Sequence, residues 1–119
     1  MYSVLQAPSF EKELIKNLSL EQQRKIDRFK EKQLSTNPYV GDACGRPFFR
    51  EKRLGNKRVY FLIYDEFSAV LLVGLSDKKT QQITIDDIQD ALDNYSDYVK
   101  EELKRRGAFY LRTPPSGSQ

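Results

Sequence analysis

This 119-residue sequence predicts an α+β domain: an N-terminal strand, a two-helix hairpin, an antiparallel meander and a C-terminal helix. The sheet should hold about four strands. Three observations predict it. Residues 48–82, FFREKRLGNKRVYFLIYDEFSAVLLVGLSDKKTQQ, are dense in β-branched and aromatic side chains and are cut at short intervals by turn residues. Upstream, Ser19-Leu20-Glu21-Gln22 has the pattern of a capping box between two helical periodicities. Downstream, Ile85, Ile88, Ala91, Leu92, Tyr95, Val99 and Leu103 fall on one helical stripe.

Residues 2–5 (YSVL) read as a short strand stopped by Pro8. Ser9 is the expected cap of a first helix, with Phe10, Leu14 and Leu18 at helical spacing. A second helix, capped by Ser19, should run to about Leu34, with Ile26 and Phe29 inward. Residues 39–47 (YVGDACGRP) hold two glycines and a proline and read as a loop. Cys44 within it reads as a small packed side chain, since no base for a nucleophilic thiol is identifiable nearby. The meander strands are expected at 48–54, 57–64 and 68–75, turned at Gly55-Asn56 and Asp65-Glu66. Thr84 is the expected cap of the last helix, which Gly107 stops, with a break near 94–97. Residues 1–112 form one expected domain. Residues 113–119 (TPPSGSQ) have the composition of a disordered tail, native or an added remnant.

At 39% hydrophobic with 7 Tyr and 7 Phe, the chain can build one small core. No histidine is present, which removes the usual metal ligand and general base. No metal and no cofactor are expected, and any catalysis must run on Arg, Lys, Tyr and carboxylates. A single cysteine excludes an internal disulfide and suits the reducing cytoplasm. No apolar run reaches the roughly 20 residues that span a bilayer, and no signal peptide is read, so a cytoplasmic protein without a membrane is expected. The net charge of +3 is modest, but its distribution is not. Between Arg46 and Arg58 six cations (Arg46, Arg50, Lys52, Arg53, Lys57, Arg58) face Glu51 alone, a local balance of +5. Strand alternation is expected to put Val59, Phe61 and Ile63 on the core side. Arg58 and Tyr60, with Arg50 and Lys52, would then form an open basic, aromatic surface, and Arg53 the other face. On the residues alone, that surface is either a solvated strand face or a phosphate-binding one.

The strand KRVYFLIYD (57–65) and the segment SDKKTQQIT (76–84), in this order of elements, resemble the RelE/ParE superfamily of toxins, over roughly residues 2–95. The DKKTQ piece is similar to the HigB-like branch. The resemblance implies a RelE-like, microbial RNase-type fold. It also implies the toxin of a type II toxin–antitoxin system, a ribosome-dependent mRNA endonuclease in which a ribose 2′-OH attacks the adjacent phosphate. By position it implies Arg58 as the phosphate-binding arginine, with Arg50 and Lys52 as the paired basic residues of the preceding strand. Like-charge repulsion within the cation cluster makes Lys52 the expected base of that chemistry. RNA or ribosome contacts would come from Arg53, Lys57, Tyr60, Lys78, Lys79 and Gln81. Gln81 stands where an arginine is usual, and the tyrosine that often follows is missing. The alternatives are a ParE-like gyrase inhibitor and a catalytically impaired binding relative. The implied partners are a cognate antitoxin, the ribosome and mRNA, with the free protein a monomer. Arg58, Lys52, Lys78 and Lys79 are all expected to be exposed.

Overall fold

Tyr2 opens the first strand by donating its backbone N–H to Ser35, at the end of the helix hairpin, so the chain start is fixed at once to a distant segment. The computed structural model describes residues 1–107; the expected tail and the segment 108–112 lie outside the described residues. The elements are β1 (Ser3–Gln6), α1 (Pro8–Asn17), α2 (Leu20–Phe29), β2 (Asp42–Arg46), β3 (Phe49–Leu54), β4 (Lys57–Tyr64), β5 (Ala69–Ser76), α3 (Gln81–Asp90) and α4 (Leu92–Arg105). A wide helical turn, Lys30–Leu34, carries α2 on to Leu34.

Pro8 stops the strand as expected, but it also starts the helix. It occupies the first helical turn, where its missing N–H costs nothing, and Ala7 rather than Ser9 is the cap. At α2 the capping box forms in full: Gln22 N–H donates to Ser19 Oγ at 3.1 Å, and Ser19 N–H to Gln22 Oε1 at 2.9 Å. The last helix departs from expectation twice. It starts at Gln81 instead of after Thr84, because Asp77 and Thr80 close their own turn: the Thr80 N–H and hydroxyl both reach Asp77 Oδ1 at 3.0 Å. It breaks at Ala91 (φ −108°, ψ 13°) rather than near 94–97, and this separates α3 from α4.

The five-stranded sheet has the order β1-β5-β4-β3-β2, with β1 parallel to β5 and the other neighbours antiparallel. The fifth strand is β2, in the segment read as a loop. Gly41, at φ +72°, precedes it, and Gly45, at φ +90°, lies within it at the register shift between Ala43 and Arg46. The helix hairpin covers one face, where Phe29 packs edge-on against Phe61 at 5.8 Å between centroids. On the other face α3 lies over Gly74, where an added Cβ would meet Ile88 Cδ1 at 3.2 Å. Covered on both sides, β4 is buried without interruption from Val59 to Tyr64. Val59, Phe61 and Ile63 are core, as expected, but so are Tyr60, Leu62 and Tyr64, so no open aromatic surface exists on that strand. Among the described residues no helix is long and apolar enough to cross a membrane.

Candidate functional site

The two-residue turn Gly55-Asn56 pairs Leu54 with Lys57 and therefore Arg53 with Arg58, Lys52 with Val59, Glu51 with Tyr60 and Arg50 with Phe61. Directly paired residues share a face. Arg58 accordingly shares its face with Glu51 and Arg53, while Lys52 and Arg50 lie on the opposite, hairpin-covered face. This corrects the expected grouping of Arg58 with Arg50 and Lys52.

On the Arg58 face, beneath the first turn of α3, a polar cluster is set into the core. The Glu51 carboxylate is buried. It accepts two bonds from Gln81 Nε2, at 2.9 and 3.0 Å, and faces Arg58 Nε at 3.7 Å. Arg58 is not exposed as expected; only 12% of its side chain is accessible. Yet its Nε is buried without an acceptor, and the guanidinium makes no hydrogen bond among the described residues. Arg58 is therefore held in place by strand backbone and one carboxylate, with most of its donor capacity unspent. The Tyr60 and Ser76 hydroxyls bond each other at 2.8 Å within the same cluster. Burial, above all, raises the Tyr60 phenol well over its ordinary range, and its ring is fully enclosed. Tyr60 thus offers no surface for the RNA contact that the resemblance implied.

Arg50 is spent on structure. Its Nε donates to the Val40 carbonyl at 2.9 Å, and its two terminal nitrogens to Pro47 and Gly41 at 3.0 Å each. It also lies 5.9 Å from the Tyr39 ring centroid. These contacts pin the chain on both sides of β2 and leave the guanidinium little for a ligand. Lys52 is half-buried, Lys57 likewise, and Arg53 is exposed. Lys78 and Lys79 are exposed, as expected, in the turn before α3. Gln81, expected at an RNA surface, instead aims its amide at Glu51.

Sequence reasoning missed Glu51 and Ser76. Glu51 had a signal: it is the lone acid among six cations, and the two-residue turn fixes its face. Ser76 had none. Cys44 is half-buried, and burial, then Glu51 and Asp42, push its thiol up to about 11. Alkylation of Cys44 by iodoacetamide at pH 8 is therefore expected to run on the order of 10²-fold slower than that of an unperturbed cysteine, because so little thiolate is present. A mass-spectrometric time course checks this, and modification at the rate of free cysteine would contradict it.

No protein-family model matches the chain, and no curated protein does. Solved structures do. The toxin–antitoxin complex RelBE2 of Mycobacterium tuberculosis aligns at 24% identity and TM-score 0.57, over 65% of this chain and 98% of that one. The fold is that of the RelE toxins. The isolated RelE toxin of E. coli aligns at 16% identity and TM-score 0.57, over 74% of this chain and 99% of that one. The RelB–RelE complex of Methanococcus jannaschii aligns at 16% and 0.53, over 67% and 96%. This RelE-like architecture carries the expected order of strand, hairpin, meander and last helix, with one strand more than the sequence showed.

Proposed function

We propose that the protein is the toxin of a toxin–antitoxin pair and cleaves mRNA on the ribosome, with Arg58 binding the scissile phosphate. The observation that carries this reading is a mid-sheet guanidinium whose Nε is buried without an acceptor and which bonds to nothing among the described residues. A phosphate oxygen is the acceptor that such a planar donor fork matches. Glu51 is the proton acceptor on the same face, so it replaces Lys52 as the base of this proposal. It takes the proton of a ribose 2′-OH while the 2′-oxygen bonds to phosphorus. The bond from phosphorus to the 5′-oxygen breaks, and that oxygen is protonated from water. The products are a 2′,3′-cyclic phosphate and a 5′-hydroxyl. Gln81 holds the carboxylate in place while this occurs. Because Arg58 is 12% accessible, the first turn of α3 and the Lys78-Lys79 turn must give way for an RNA strand to reach it.

Four of the aligned structures pair RelE with RelB or with a RelB peptide. A partner of that kind, encoded beside this protein and neutralising it, belongs to the proposal. One observation favours a second reading. Glu51 already neutralises Arg58, and Gln81 already satisfies Glu51, so the cluster is also a stable internal one. On that reading the protein is a RelE-like binding protein without cleavage. Inducible expression with primer-extension mapping of a reporter mRNA separates the two. Codon-phased cuts that Arg58→Ala removes support the nuclease; growth without cuts from the unaltered protein leaves the binding reading.

A further inference from the structure

Some cations of this chain are already engaged. Arg50 bonds carbonyls, Arg58 faces Glu51, Lys30 bonds Gln6, and Arg105 and Arg106 pair with Glu102. Of the cations without such a partner among the described residues, four gather in one place. Lys25, Arg28 and Lys32, along α2 and the turn that follows it, and Arg53, near the end of β3, line one open groove of about 430 Å³ with Phe29, Gln33, Leu54 and Gly55. None of the four has an ion pair or side-chain hydrogen bond among the described residues. The groove continues past Lys25, Leu54 and Gly55 into a second, smaller cleft that adds Lys57. Neither cleft is lined by a carboxylate. The acids of α2 are elsewhere on its surface: Glu21, Asp27 and Glu31 line neither cleft. The β3–β4 register sets Arg53 directly opposite Arg58, a like-charge pairing that costs stability unless an anion offsets it.

Unpaired cations converging on a concave surface repel one another, and a polyanion backbone relieves that repulsion by releasing counterions. An isolated anion would not need a lining that extends from α2 round the tip of the hairpin. We infer that this groove is the track of a single-stranded RNA backbone, entering over the β3–β4 turn at Arg53 and Lys57 and continuing along Lys25, Arg28 and Lys32. The inference rests on the proposed function only in naming RNA; Arg58, paired with Arg53 but set on the face under α3, lies round the β3–β4 turn from the groove.

The test is the salt dependence of binding to a short fluorescein-labelled single-stranded RNA, read by anisotropy between about 50 and 200 mM salt. Three variants are compared with the unaltered chain, each checked for folding by thermal melting. Lys25→Ala/Arg28→Ala/Lys32→Ala should weaken binding roughly tenfold or more and lower the slope of log K against log salt by about 2, at about 0.7 per phosphate contact. Lys12→Ala/Lys16→Ala/Lys100→Ala removes the same charge from exposed positions outside the groove and should leave the slope unchanged. Arg58→Ala should change the slope by no more than one contact while removing cleavage. Equal losses in the two triple variants would reduce the groove to net charge and overturn the track. If the groove variant keeps its RNA affinity but no longer co-purifies a small acidic partner, the groove belongs to that partner and the track is likewise overturned. Either result leaves the proposed cleavage at Arg58 standing. Loss of cutting in neither Arg58→Ala nor the groove variant sinks the cleavage site instead.

Discussion

Arg58→Ala is expected to reduce RNA cleavage on the order of 10²- to 10³-fold, the loss typical of a single preorganised donor to a developing oxyanion. It should also lower stability, which an exposed cation would not do. Glu51 would keep its two bonds from Gln81 but lose the charge 3.7 Å away, in a site where each side chain is only about a tenth accessible. Removing one partner from a largely buried pair costs about 3 kcal/mol. Arg58→Lys keeps the charge without the planar fork, so it should restore much of the stability and little of the rate. That split separates a structural ion pair from a phosphate contact, and urea melts together with single-turnover cleavage measure both halves. A fully active and fully stable Arg58→Ala protein would place the site elsewhere. Combining Arg58→Ala with Glu51→Gln should cost less stability than the sum of the single changes, because the second change removes the stranded charge.

The meander strands and the helix hairpin were legible because their signals are local. Alternation and turn residues marked β3, β4 and β5 to within one residue, and Ser19 with Gln22 marked the start of α2. The strand β2 was not legible. Asp42, Ala43 and Gly45 have little β propensity, and the strand exists because Arg50 and the backbone of β3 hold it. The faces were legible and were misread. A two-residue turn at Gly55-Asn56 already dictates that Arg53, not Lys52, stands beside Arg58. The unbroken apolar run from Val59 to Tyr64 already signals a strand covered on both sides rather than one with an open face. The contact that completes the cluster, Gln81 on Glu51, joins residues 30 apart through the placement of α3. No spacing in the chain encodes it; it follows from where Asp77 and Thr80 start the helix.

Gly41→Ala is expected to be the most destabilising single-methyl change in the chain. Gly41 sits at φ +72°, and a Cβ there would lie 2.1 Å from the Glu51 carbonyl oxygen, a backbone atom that cannot turn away. The left-handed backbone alone costs a non-glycine residue on the order of 1 kcal/mol. The overlap must then be relieved by moving β2 off β3, which forfeits the Asp42–Glu51 pairing and the Arg50 bonds to Val40 and Gly41. Together these should bring the loss to about 3 kcal/mol or more. Gly55→Ala is the control, since Gly55 has a similar φ of +65° with nothing within 4 Å of the added Cβ, and it should show the backbone cost alone. Because Glu51 is the residue pushed, Gly41→Ala should also slow cleavage while Gly55→Ala leaves it nearly intact. Urea melts of the two variants, with hydrogen exchange at the β2 amides, read the difference. Equal midpoints for the two would mean that β2 does not approach Glu51 as closely as the structure has it, and that Arg50, not the strand pairing, holds this edge of the sheet beside the Arg58 cluster.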